Sequence, residues 1–134
     1  MLPLETRIKD HAHSLGFELA GIAPAAEADG FAHLQDWLAQ GFAGEMDYMQ
    51  RHADARRHPD SMLPDVRSVV MVGINYKPAA GSTEATPTTG RVSCYAGGLD
   101  YHDVLREKLK TLLAWIQCEV PGRERREQIG RAHV

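Results

Sequence analysis

The chain has 134 residues, enough for one domain with its own core. Hydrophobic residues make up 43% and charged residues 25%, the balance of a soluble globular chain, and no apolar run reaches the ~18 residues that a membrane span needs. The net charge of −3 excludes a global basic field for nucleic acid, so such a partner would require a local patch or a further domain.

Leu4 to Leu15 carries apolar residues at helical spacing, with Pro3 suited to the first turn and Gly16 to the C-terminal cap. This opening reads as an amphipathic helix and lacks the apolar segment of a signal peptide. Phe17 to Ile22 reads as a short strand ended by Pro24. A second helix is predicted from about Glu27 to Gln40, with Phe31, Leu34, Trp37 and Leu38 as its stripe, and a shorter third one over Glu45 to His52.

Residues 51 to 58 then turn basic, with Arg51, His52, Arg56, Arg57 and His58 against Asp54 alone. Two readings are open: a solvated connection, or a clamp for phosphate or carboxylate in which arginine offers a planar, bidentate fork. Pro59 and Pro64 bracket one short turn at Asp60 to Leu63.

Ser68 to Tyr76 is the clearest strand, and its near-continuous apolar run predicts burial on both faces at the centre of a sheet. Gly73 suits a close backbone approach. Asn75 and Tyr76 fall at the carboxyl end, where open α/β sheets place their ligands. Lys77 to Thr89 reads as a surface loop and Arg91 to Tyr95 as a short strand.

From Gly90 to His102 the sequence is GRVSCYAGGLDYH, a glycine-rich turn leading into a long amphipathic helix. Asp100 is a good N-cap, with Asp103 three residues later completing an acidic variant of a capping box. Val104, Leu105, Lys108, Leu109, Leu112, Leu113 and Ile116 form the stripe of a helix ending near Glu119 and Pro121. Tyr101 and His102 sit in its first turn, where the helix dipole favours a neutral imidazole. The junction is either a capped turn without a ligand or a site for an anionic or polar one. The fold class is therefore α/β: one domain over residues 1–120 with a small central sheet flanked by helices, then a polar tail at 121–134. Residues 129–134, IGRAHV, match one reading frame of a common sequencing adapter and are expected not to be native.

Taken in order, Gly44 to Met49 (GEMDYM), Arg56 with Pro59, Leu63-Pro64, Arg67 to Val70 (RSVV), Asn75-Tyr76, and Gly90-Arg91 through Asp100-Tyr101-His102 resemble the N-terminal part of epoxyqueuosine reductase. The resemblance covers roughly residues 4–120. It implies reduction of epoxyqueuosine to queuosine in the anticodon loop of tRNA, in the cytoplasm, by a monomer without a membrane anchor. It also implies cobalamin held partly by this domain, and two four-iron (4Fe–4S) clusters in a later ferredoxin-like region. By the family pattern, Arg56, Tyr95, Asp100, Tyr101 and His102 line the cobalamin and substrate side.

One departure is Cys94, where the family usually has arginine before Tyr95; a neutral thiol cannot replace a five-donor guanidinium. Cys94 and Cys118 are the only cysteines, and two cannot hold one four-cysteine cluster. The family's acidic proton donor and cluster ligands are expected outside this sequence, so the chain reads as an inactive fragment of the enzyme. The readings from other classes are a stand-alone corrinoid- or flavin-type binding module and a structural domain that docks a neighbour through residues 51–58.

Overall fold

A computed structural model describes residues 1–76, 88, 90 and 98–122. In chain order the elements are α1 (Leu4–Ser14), β1 (Leu19–Pro24), α2 (Phe31–Ala39), α3 (Asp47–Arg51), 3₁₀ turns at Asp54–Arg56 and Pro59–Ser61, β2 (Ser68–Gly73) and α4 (Tyr101–Glu119). The fold is mixed α/β, with β1 and β2 paired in a two-stranded sheet. The pairing is antiparallel: Glu18 N–H donates to the Gly73 carbonyl and Ala25 N–H to the Arg67 carbonyl, each at 2.9 Å. The chain divides into two compact units, Met1–Ala20 with the residues from Val72 on, and Gly21–Met71.

In the first unit, α1 packs on α4 around Ala12, Phe17 and Leu112, which are nearly inaccessible. Leu15, Ala20, Val72, Ile74, Leu105, Leu109 and Ile116 pack against that cluster. Burying side chains of the size of Phe17 and Leu112 contributes roughly 1.5–3 kcal/mol each. The predicted strand start at Phe17 is displaced, because Phe17 closes helix α1 instead. Its N–H donates to the Ala12 carbonyl and Gly16 N–H to the His13 carbonyl, a Schellman closure. The motif needs a left-handed residue, and Gly16 has φ +90°. Phe17 and Ala12 then meet inside the core, so the strand begins two residues later, at Leu19.

The predicted burial of Ser68 to Tyr76 on both faces does not hold. The strand ends at Gly73 and, among the described residues, pairs with β1 alone. Side chains alternate across a strand, so Val72 and Ile74 reach the core while Met71, just before them on the opposite face, is 58% exposed. Gly73 is not required by a close approach: a methyl group there would stand 3.4 Å from Leu19 Cβ and Cδ1, an ordinary van der Waals contact.

In the second unit, α2 begins at Phe31, later than the predicted Glu27, because residues 27–30 turn back on the basic segment. Ala28 N–H donates to the Arg57 carbonyl at 2.8 Å, and Arg57 Nε to Glu27 Oε1 at 3.3 Å. The Arg57 guanidinium also lies over the Phe31 ring, 5.9 Å from its centroid, and Phe31 is buried. Helix α3 is one short turn, and the predicted turn at Asp60 to Leu63 is the 3₁₀ turn Pro59–Ser61, capped where Asp60 N–H donates to His58 Nδ1.

Candidate functional site

The predicted N-cap is present. Asp100 is extended, with φ −60° and ψ 117°, and its Oδ1 accepts from the His102 backbone N–H at 2.9 Å. This satisfies one of the amides that a helix start leaves unpaired. The same Oδ1 lies 2.9 Å from Nδ1 of the His102 ring. The two side chains are 60% and 48% exposed, so their polar edges face outward. Tyr101 is half-buried, and its ring tilts by 31° against the imidazole at a centroid distance of 4.0 Å. Asp103 meets Arg106 Nη1 at 3.2 Å, where the capping-box reading expected it to turn back to the cap.

The hydrogen bond from the His102 amide, followed by that from its ring, lowers the Asp100 carboxyl below its ordinary 3.8; the positive charge of Arg106 acts in the same direction. Asp100 is thus ionised across the physiological range.

Asp100, Tyr101 and His102 come together on the first turn of α4. Arg56 belongs to the second unit, where it ends a 3₁₀ turn, and its Nη1 donates to the His52 carbonyl at 3.0 Å. Tyr95 and the departure at Cys94 lie outside the described residues, as do the loop at 77–87 and the strand predicted at 91–95. The basic run is largely tied within its own unit: Arg57 to Glu27, His58 to Asp60, and Arg56 to local backbone. Asn75 and Tyr76 are exposed beyond the end of β2.

Sequence reasoning missed the contacts that hold α4 in place. Lys108, counted in the apolar stripe, donates from Nζ to the Leu15 carbonyl at the end of α1. Arg7 Nη2 donates to Glu119 Oε2, and His11 stacks on Trp115. The i,i+4 pairs Arg7/His11 and Trp115/Glu119 were the available signal, since each marks one helical face.

A mixed α/β domain that begins a long, capped helix with exposed Asp100 and His102 about a half-buried Tyr101 defines the class: a module that presents polar groups at a helix start. The family described as "Epoxyqueuosine reductase QueG, DUF1730" matches residues 56–129, more than half of the chain, and the chain belongs to that family. It is 46% identical to an epoxyqueuosine reductase of Gloeobacter violaceus over 124 residues, 91% of this chain and 38% of that protein. It is 40% identical to the one of Pseudomonas aeruginosa over 122 residues, 87% of this chain and 33% of that protein. The chain therefore spans about a third of the length of these curated relatives. The fold is that of an epoxyqueuosine reductase structure from Streptococcus thermophilus, with TM-score 0.71 and 21% identity over 90% of this chain and 33% of that one. Among the described residues, no helix is long and apolar enough to cross a membrane.

Proposed function

We propose that this chain is the N-terminal, cofactor-side portion of a reductase that converts epoxyqueuosine to queuosine in tRNA, and that it is inactive alone. The observation that carries the reading is the Asp100–Tyr101–His102 cluster at the start of α4, with Asp100 and His102 exposed, inside the span of the family match. The relatives' shared name supports the reaction class.

The residues fit cobalamin in kind. Its rim of carboxamide side chains offers N–H donors, and Asp100 and His102 hold acceptor atoms at the surface. Arg56 is exposed in its own unit and carries guanidinium donors there. In the proposed site Asp100 anchors the helix start, Tyr101 backs the imidazole, and His102 meets the ligand's polar groups. When bound, cobalamin would supply cobalt-centred bond-making and electron transfer, chemistry that belongs to the cofactor.

The chain does not fit the two iron–sulfur clusters. A four-iron cluster takes four cysteine thiolates, and this sequence has two cysteines, 24 positions apart at Cys94 and Cys118. The clusters are proposed to be held by the remainder of the longer protein.

The test is an absorbance titration of the chain with hydroxocobalamin. A weak, saturable change that is lost in His102→Ala is expected, since a partial pocket buries little of the ligand. No spectral change at the highest usable concentration would refute the cofactor-side reading. Anaerobic reconstitution should give no stoichiometric cluster absorbance.

A further inference from the structure

We infer that Asp100 is a positioning residue that fixes His102 in the Nδ1–H tautomer and leaves Nε2 as a hydrogen-bond acceptor. A ligand group meeting Nε2 is then a donor, an amide N–H or a hydroxyl. The inference deepens the proposed function and rests on it for the presence of a ligand.

The geometry carries the assignment. Asp100 Oδ1 has two neighbours at 2.9 Å, the His102 backbone N–H and the His102 Nδ1. An ionised carboxylate has no hydrogen to give and can only accept. The ring nitrogen beside it must therefore carry the hydrogen, and the backbone amide takes another lone pair of the same oxygen. A neutral imidazole has one N–H, so once Nδ1 holds it, Nε2 is a bare acceptor. The Tyr101 ring, 4.0 Å away, restrains the imidazole from its face, so the ring plane as well as the tautomer is set. A hydrogen bond to one ring nitrogen deciding what the other presents is a general way for a carboxylate to act through a histidine.

The consequence is selectivity in kind. Nε2 accepts from a donor or takes up a proton; in the neutral ring it offers nothing to a carbonyl oxygen. Asp100 need not touch the ligand, and its effect is transmitted through the ring of His102.

The tautomer can be read without any ligand. The ¹⁵N-labelled chain is recorded by two-bond ¹H–¹⁵N correlation at a pH where the imidazole is neutral, with His102→Gln to assign the ring among the seven histidines. Wild type should show a pyrrole-like Nδ1 and a pyridine-like Nε2. In Asp100→Ala the Nδ1–H population should fall several-fold. Asp100→Ser retains an N-cap hydroxyl, so helicity by circular dichroism should be kept while the tautomer shifts; this variant separates positioning from capping and serves if the alanine chain fails to fold. A wild-type ring in the Nε2–H form, or the same tautomer in wild type and Asp100→Ser, overturns the inference. Failure of the hydroxocobalamin titration with an Nδ1–H ring intact counts against the cofactor-side reading instead.

Discussion

The imidazole of His11 lies on the indole of Trp115, with ring centroids 4.4 Å apart and planes 14° from parallel. His11 comes from the last turn of α1 and Trp115 from the last third of α4, so the stack joins the two helices that build the first unit. The Arg7 guanidinium sits 5.8 Å from the same indole while its Nη2 reaches Glu119. His11→Ala should lower stability by about 0.5–1.5 kcal/mol beyond the lost area, the usual worth of an aromatic pair. Urea unfolding checks this; a midpoint unchanged from wild type would remove the stack from the account.

Leu112→Ala should cost about 2–5 kcal/mol, because the side chain is 3% exposed between Ala12 and Phe17 and little can collapse into the space. Leu109, half-buried at the edge of the same cluster, should cost less when cut to alanine. Thr111→Ala, on the exposed face, should stay within about 0.5 kcal/mol of wild type. Equal losses at positions 109, 111 and 112 would contradict the face assignment.

Much of this was legible in the sequence. The apolar stripes of α1 and α4, Gly16 as a stop and Asp100 as a cap are local signals, and each element falls within a few residues of its predicted place. The run over Val69 to Val72 announced a strand but not how many of its faces would be covered, since that depends on elements elsewhere in the chain. The ties between Lys108 and Leu15 and between Arg7 and Glu119 join residues 93 and 112 positions apart, and nothing in a single sequence pairs them. At the site, the i,i+2 spacing of Asp100 and His102 predicted a capped backbone amide. That the same oxygen also meets the ring depends on a side-chain rotamer that spacing does not encode.

The Asp100 cap gives a signed pH dependence. Its carboxyl is lowered in the folded chain by the His102 hydrogen bonds, so its contribution is fully present above its ordinary value of 3.8 and is lost as pH falls through the lowered folded value. Asp100→Asn keeps an acceptor that does not titrate. The stability difference between wild type and Asp100→Asn should be flat above about pH 5 and shift against wild type below pH 3.8. A difference that stays flat down to pH 2.5 would show that the carboxylate is not engaged.

Gly16→Ala should cost about 1–2 kcal/mol, the penalty of a left-handed backbone for a residue with a side chain. An added methyl would also meet Lys108 Nζ at 2.9 Å, but that ammonium ends a flexible chain and can withdraw. Lys108→Met in the same background should therefore recover little. Full recovery in the double variant would move the cost from the backbone to the clash.

The two polar ties and the aromatic stack lie in sequence along an antiparallel helix pair: Leu15 with Lys108, His11 with Trp115, Arg7 with Glu119. The outer two are separated by 11 residues of α4, roughly 16 Å at 1.5 Å per residue. Apolar side chains alone would let one helix ride along another by a fraction of a turn with little change in buried area. Three directional contacts spread over that length act as a vernier: an axial slip that eases one spoils the others. The first turn of α4, two turns before Lys108, is thereby indexed to the end of α1, so the height at which the His102 ring stands above the core is set by contacts that never approach it.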